Sequence, residues 1–287
     1  MLTQRDLMAA WHAGGGKGST LTQKHAQSIA RRLDTYLRAQ RITLTQVRQL
    51  KQRHLENFVR ELGAVQSART QANSLAALRR MLTGAGMSRT AENLTRERLG
   101  IADYSRAGTK RAIEPDRYAA ALAAAQRRDE GLAVCLELAR YLGLRQQEAV
   151  QAGPLLAKWA RDLAAGRPLA VVDGTKGGRF RLVHPANVEA LQGVVARALA
   201  VSRERGGVLI AKPELKKAVD YVDRHGRKAG LTGDQSFHSL RYAFASEQIA
   251  HYLAQGYTQK QAEAMTSADL GHGTQRTDFV RTVYSKK

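Results

Sequence analysis

The chain has 287 residues, which is long enough for two domains, and 46 Lys plus Arg against 25 Asp plus Glu give it a formal net charge of +21. Such an excess favours a polyanionic partner, with nucleic acid as the first candidate. A membrane surface is the rival, but no apolar run approaches the roughly 20 residues of a transmembrane helix, and the N-terminus lacks the apolar core of a signal peptide. The single cysteine, Cys135, excludes an internal disulfide and a cysteine-based zinc site, so we expect a cytoplasmic protein.

Residues 1–18 contain four glycines around Lys17, a composition that invites comparison with a phosphate-binding loop. That motif requires a glycine where Trp11 stands and a Ser or Thr where Gly18 stands. The sequence therefore predicts a flexible lead-in over 1–18 and not a nucleotide site.

Residues 19–99 are predicted to form a helical bundle. Apolar side chains recur at helical spacing, as at Ile29, Leu33 and Leu37, and plausible helix ends follow at Gly63 and Gly84. A solvated helix surface would explain the basic residues on the outer faces, but their bias towards one sign favours contact with DNA. The candidate DNA-binding residues are Arg31, Arg32, Arg38, Arg48, Lys51, Arg53, Arg79 and Arg80.

A linker is expected over 100–114, where Gly, Ser and basic residues mix without an apolar stripe. A larger domain is predicted to follow over 115–287 and to be mostly helical. Within it, 169–173 and 180–184 read as two short strands of a hairpin that turns near Gly177-Gly178. The predicted fold class is therefore mainly α, with a helical domain followed by a mixed α/β domain that holds a small antiparallel sheet.

Five short motifs in the second domain carry residues suited to phosphate chemistry. They are, in chain order, Gly-Leu-Arg-Gln-Gln-Glu with Arg145, the hairpin residue Lys176, His-Ser-Leu-Arg with His238 and Arg241, Leu-Gly-His with His272, and Tyr284. Each motif alone also fits a solvated surface residue or a helix cap. Because His238 and Arg241 are three residues apart at a predicted helix start, they share a face where free N–H groups favour an anion.

Taken together and in this order, the five motifs resemble those of the tyrosine recombinase (integrase) family. The resemblance covers 113–287 as the catalytic domain, and 19–95 is similar to the family's helical, SAM-like core-binding domain. It implies that Tyr284 attacks a DNA phosphate, that Arg145 and Arg241 bind the non-bridging oxygens, and that Lys176 protonates the leaving 5′-oxygen. His238 and His272 would donate a hydrogen bond or take the tyrosine proton, and the sequence does not assign which.

The resemblance further implies a 3′-phosphotyrosyl intermediate with no cofactor and no metal, and a homotetramer that grips double-stranded DNA at specific recombination sites. An accessory DNA-bending or directionality factor is compatible with it. Integration or excision of a mobile element is the expected role. A type IB topoisomerase, a catalytically silent DNA-binding relative and, more remotely, a metal-dependent nuclease are the alternatives that the sequence leaves open.

Three departures from the family pattern stand out. Tyr284 follows His272 by twelve positions, a few more than is usual, so the helix that carries the tyrosine is expected to sit differently. Three residues follow Tyr284, where many relatives have a tail that docks on a neighbouring subunit, so either the subunit contacts differ or the chain is trimmed. Tyr242 stands where His commonly follows His-x-Leu-Arg.

Overall fold

The structure is a computed structural model that describes residues 1–104, 110–175, 178, 180–275 and 277–284. The chain divides into two compact units, Met1–Ser105 and Arg106–Lys287, each with its own hydrophobic core. The described residues are mainly helical with one two-stranded antiparallel sheet, which confirms the predicted fold class. None of the helices they form combines the length and the apolarity needed to cross a bilayer.

Amphipathic helices build the N-terminal unit. The described helices are α1 (Gln4–Ala13), α2 (Thr20–Ala39), α3 (Gln52–Gly63), α4 (Ala68–Gly84) and α5 (Ser88–Asn93). The predicted stripe on α2 is buried, as are the apolar positions of α3 and α4, so the helical spacing identified the core-facing sides correctly.

The prediction of a flexible lead-in over 1–18 is wrong for α1. Thr3 caps this helix by accepting from the backbone N–H of Asp6, whose carboxylate in turn accepts from the N–H of Thr3 at 2.9 Å. Leu7 and Trp11, four residues apart, are buried in the core of the unit. A capping box followed by an i, i+4 apolar pair predicts a helix, and the run of glycines concealed this pattern.

Helix α1 packs closely against α4 because glycines occupy the points of contact. A Cβ atom added at Gly84 would lie 1.8 Å from the carbonyl oxygen of Ala10, and one added at Gly14 would lie 2.2 Å from that of Arg80. Both neighbours are backbone atoms of a helix and cannot move aside as a flexible side chain can. Gly14, directly after α1, and Gly84, at the end of α4, therefore permit this close packing.

We predict that Gly84→Ala lowers the free energy of unfolding of the N-terminal unit by about 1–3 kcal/mol, because the added methyl group overpacks the contact with α1. Urea denaturation measures the change. Gly193→Ala is the control, since nothing lies within 4 Å of a Cβ atom at that position of its helix. Alanine should be neutral or stabilising there, by up to about 1 kcal/mol. Equal effects of the two substitutions would contradict the close contact.

The second unit is built around a buried helix, α7. Its described helices are α6 (Pro115–Arg128), α7 (Glu130–Leu142), α8 (Gln146–Val150), α9 (Leu156–Ala164), α10 (Val188–Glu204), α11 (Leu215–Lys228), α12 (Phe237–Ala254), α13 (Gln259–Asp269) and α14 (Thr277–Val283). Residues of α7 are buried on almost every side, where α6, α10 and α12 pack against it. The apolar run around Cys135 is therefore a core helix, and burial raises the pKa of that thiol.

The predicted hairpin is present as strands β1 (Leu169–Val171) and β2 (Arg181–Val183), which pair antiparallel with Leu169 opposite Val183. Both strands are shorter than the predicted ones. Leu169, Val171 and Val183 turn into the core, and Arg181 is buried on the same face of β2 as Val183. The turn predicted near Gly177-Gly178 lies only in part within the described residues.

Candidate active site

The side chain of Arg241 is at the centre of the second unit. It projects from the second turn of α12 and has no solvent-accessible surface. Its two terminal nitrogens donate to the carbonyl oxygens of Gly143 and Leu270, and its Nε donates to the hydroxyl of Tyr284 at 3.2 Å. Burial lowers the pKa of Arg241 to about 10, and the nearby cations Arg145 and Arg181 act in the same direction. The guanidinium therefore stays charged at neutral pH.

Tyr284 and His272 meet at this guanidinium. Nε2 of His272 lies 3.4 Å from the Tyr284 hydroxyl and 3.4 Å from a terminal nitrogen of Arg241. Because an arginine can only donate, a hydrogen bond from it requires Nε2 to be the unprotonated nitrogen of the ring. The same nitrogen can then accept the proton of the tyrosine hydroxyl. The structure thus brings together Arg241, His272 and Tyr284, which span 43 positions of the sequence.

His238 and Tyr242 flank the tyrosine ring from the first turns of α12. The centroid of the Tyr242 ring is 4.6 Å from that of Tyr284, and the His238 ring is 5.5 Å from Tyr242 and 6.4 Å from Tyr284. Desolvation of the imidazole and the positive charges of Arg241 and Arg145 lower the pKa of His238 to about 4, although part of the residue is exposed. Both effects act in one direction, so the ring is neutral at pH 7.

Arg145 enters the site directly after a helix end. Gly143 ends α7 in the left-handed conformation, with φ of +58°, and a Cβ atom there would lie 2.5 Å from the ring of Phe244. Glycine is the residue that fits such a position. The chain then turns so that Arg145 precedes α8, where its guanidinium donates to Oε1 of Glu148 at 2.6 Å.

Arg181 is a residue of this region that the sequence reasoning missed. It lies on β2, is buried, and donates through both terminal nitrogens to the two carboxylate oxygens of Glu148, at 3.0 and 2.7 Å. Burial alone would raise the pKa of Glu148, but the hydrogen bonds and charge of Arg181, with the charge of Arg241, lower it to about 2. The signal in the sequence was a charged residue at an inward-facing position of a strand.

Lys176 and the eight candidate DNA-binding residues are the predicted residues that remain. Lys176 lies outside the described residues. The eight candidate DNA-binding residues are exposed on the N-terminal unit, as expected of a contact surface, although Arg38 pairs with Asp34 at 2.7 Å and Arg48 donates to the carbonyl of Ala85. Within the described part of the chain, no group of three His, Cys, Asp or Glu side chains is arranged to hold a metal ion.

A second polar cluster fixes the end of α13, immediately before the Leu-Gly-His turn. The buried carboxylate of Asp269 accepts from the Tyr252 hydroxyl at 2.7 Å and from the backbone N–H of His184 at 3.2 Å, and it lies 3.0 Å from Nδ1 of His184. These contacts tie α13 to α12 and to the residue after β2. They hold Leu270, whose carbonyl receives Arg241, and His272 in place.

Two known protein families match this sequence. A family described as "Integrase" matches residues 100–247, just over half of the chain, and one described as "Phage integrase, N-terminal" matches residues 3–91. The chain belongs to the integrase family. It is a tyrosine-type site-specific DNA recombinase. The first match ends before His272 and Tyr284, so the roles of these two residues are inferred from motif order and geometry. Among curated proteins, none is similar to this sequence.

Solved recombinase structures share the fold. The integrase of transposon Tn1549, in complex with transposon right-end DNA, superimposes with a TM-score of 0.61 and 17% identity over 97% of this chain and 94% of that one. A lambda integrase dimer bound to a COC′ core site superimposes with a TM-score of 0.60 and 16% identity. This match covers 96% of this chain and 77% of that one. The recombinase XerH bound to a palindromic difH substrate, in a post-cleavage complex, superimposes with a TM-score of 0.59 and 16% identity. This match covers 91% of this chain and 76% of that one. At these identities the likeness shows the fold alone.

The pairing of His184 with Asp269 predicts a pH-dependent contribution to stability. The hydrogen bond to Asp269 raises the pKa of His184, although partial burial opposes it. The contribution is therefore complete below the unfolded-state pKa of about 6.5 and is lost as pH rises through the higher folded-state value. The difference in unfolding free energy between the wild type and His184→Gln should shrink from about pH 6 to pH 8 in denaturant titrations. A constant difference would contradict the pairing.

Proposed function

We propose that the hydroxyl of Tyr284 is the nucleophile of this recombinase and attacks a DNA phosphate to form a 3′-phosphotyrosyl link. The observation that carries the proposal is the position of the hydroxyl, which is within hydrogen-bonding distance of both Arg241 and His272. A phenol with a reference pKa of about 10 is a weak nucleophile at neutral pH. It needs a base for its proton and cations for the developing negative charge. His272 and Arg241, which lie beside the hydroxyl, are groups of these two kinds.

The contacts of His272 support its role as the proton acceptor. Its Nε2 faces the hydroxyl and is the unprotonated nitrogen when Arg241 donates to it. His238 is neutral at pH 7 but contacts the ring of Tyr242 edge-on and has its ring centroid 6.4 Å from that of Tyr284. We therefore assign the base to His272 and a hydrogen bond to the phosphate to His238.

The remaining roles follow from charge. As the oxygen of Tyr284 bonds to phosphorus and the bond to the 5′-oxygen breaks, negative charge grows on the non-bridging oxygens, and the guanidinium groups of Arg145 and Arg241 donate to them. Lys176 supplies the proton that the leaving 5′-oxygen needs. The phosphodiester energy stays in the tyrosyl link, so attack by a 5′-hydroxyl of a partner strand reverses the step without an external energy source.

The proposed substrate is double-stranded DNA at a specific recombination site, held by several copies of the chain. Related structures with this fold are complexes with DNA, among them a lambda integrase dimer on a core site and a lambda integrase tetramer on a Holliday junction. We extend this to a homotetramer that exchanges strands between two sites during integration or excision of a mobile element. An accessory bending or directionality factor would act on the same DNA.

We predict that Tyr284→Phe abolishes covalent attachment to DNA and leaves DNA affinity unchanged, because only the nucleophilic oxygen is removed. The probe is a library of nicked duplexes with a randomised centre, from which wild-type adducts are recovered and sequenced. The recovered sequence is then used as a nicked suicide duplex, and adducts are resolved on denaturing gels.

The matched control for this prediction is Tyr242→Phe. It removes the hydroxyl from the ring that packs on Tyr284 and should still form the adduct. An adduct formed by Tyr284→Phe, or one lost only in Tyr242→Phe, would show that another residue is the nucleophile.

We also predict that the double substitution of Arg31 and Arg32 by Gln weakens binding and flattens its dependence on salt. Each phosphate contact contributes about 0.9 to the slope of log affinity against log salt, so the slope should fall by about 2. Fluorescence anisotropy at several salt concentrations measures both the DNA affinity and its dependence on salt. Lys24→Gln is the control, because it removes one positive charge at an exposed position of the same helix. An unchanged slope in the double variant would remove these two residues from the proposed interface.

A further inference from the structure

Arg181 makes a buried, two-pronged ion pair that the proposed reaction does not use directly. Its terminal nitrogens lie 3.0 Å from Oε1 and 2.7 Å from Oε2 of Glu148, and the two side chains are almost completely buried. Taking two charges out of water carries a desolvation penalty that their mutual attraction has to offset. A buried ion pair beside the candidate active site is therefore a candidate for a functional role.

The same carboxylate holds Arg145. Oε1 of Glu148 accepts from the guanidinium of Arg145 at 2.6 Å, and Oε2 accepts from its backbone N–H at 2.8 Å. Each oxygen thus receives one donor from Arg145 and one from Arg181. A rotation of the carboxylate that satisfied one arginine alone would break the contacts of the other.

Arg181 also supports the turn that carries His272. Gly271 has φ of +73°, and a Cβ atom there would lie 3.0 Å from Cδ of Arg181. The aliphatic part of the arginine thus packs directly on the backbone of the Leu-Gly-His turn. Arg181 therefore contacts, through one side chain, the partner of Arg145 and the residue next to His272.

We propose that Arg181 is a positioning residue for DNA cleavage, which fixes the Glu148 carboxylate so that Glu148 aligns the guanidinium of Arg145 on the scissile phosphate. This inference rests on the proposed function, because it needs Arg145 to act on phosphate. Arg181 itself contacts no reacting atom in this assignment. Its effect on the reaction passes through Glu148 and, in smaller part, through the Gly271 turn.

Electrostatics give this assignment a measurable consequence. Among the described residues, the charged and titratable groups that act on the Glu148 carboxylate are Arg145, Arg181, Arg241 and His238. Burial acts to raise the pKa of Glu148, and the hydrogen bonds and charge of Arg181 are the largest opposing influences. Without Arg181 the folded pKa of Glu148 rises, so the carboxylate that aligns Arg145 becomes protonated at a higher pH than in the wild type.

The test compares Arg181→Gln, Glu148→Gln and the double variant in single-turnover adduct formation on the nicked suicide duplex. Each single variant should lose about 10²-fold in rate, the loss expected for a misplaced catalytic group, and should keep the DNA affinity of the wild type. The double variant should be no slower than the slower single one, because both substitutions break the same linkage. Losses that multiply in the double variant would overturn the proposal.

A pH profile separates positioning from general loss of stability. Between about pH 8 and pH 5, Arg181→Gln should lose rate more steeply than the wild type as the pH falls, and the extra loss should vanish when Glu148 is also Gln. Arg167→Gln is the matched control. It removes two hydrogen bonds to one oxygen of the buried Asp162 in the same unit and should leave both rate and profile unchanged. Parallel profiles of Arg181→Gln and the wild type would contradict the inference.

Arg181→Lys keeps the test decisive if Arg181→Gln does not fold, which thermal unfolding will show. Lysine retains the charge but cannot donate to both carboxylate oxygens in a fork. It should restore the wild-type profile and recover only part of the rate. Full recovery of the rate would make charge alone sufficient and overturn the aligning role. Absence of an adduct with the wild type would instead refute the proposed function itself.

Discussion

The fold of the second unit depends on a buried positive charge. Arg241 has no contact with solvent, so each of its donors must find an acceptor within the protein. Two of them are the carbonyl oxygens of Gly143 and Leu270, each at a point where a helix has ended and its last carbonyls lack partners in the helix. The same guanidinium that we propose to bind phosphate therefore joins three stretches of chain and sets the distances between them.

This arrangement explains why the motifs of the site take the form they do. The Gly-Leu-Arg and Leu-Gly-His motifs both place a left-handed glycine at a helix end, at Gly143 and Gly271, and a functional side chain one or two residues beyond it. In each motif a carbonyl oxygen at the end of the helix accepts a hydrogen bond from Arg241. The glycine then turns the chain, and Arg145 follows Gly143 while His272 follows Gly271. A Cβ at either glycine would meet a neighbouring side chain as well as strain the backbone.

The sequence predicted that both units are mostly helical, and it also predicted the hairpin and the residues that lie close to Arg241, because periodic apolar stripes and ordered motifs are local signals. It did not predict α1, where glycines outweighed a capping box, nor α8 and α9, which are short and follow one another closely. It also passed over Arg181. The proposed role of Arg181 depends on its ion pair with Glu148, which lies 33 positions earlier in the sequence. Tertiary packing brings such a pair together, and no pattern along the chain predicts it. The assignment of a base among the histidines likewise required distances.

The balance of charge around the site shows why a single carboxylate has so large a part. Arg145, Arg181 and Arg241 lie close enough for the first two to lower the pKa of the third. These like charges repel one another, and in the absence of a bound anion this repulsion acts against the folded protein. Glu148 offsets it from within the cluster and binds two of the three cations through both oxygens. Because it is almost completely buried, it does so without occupying the surface that the proposed function assigns to DNA. A carboxylate at the surface of the site would neutralise the cations equally well but would repel the substrate.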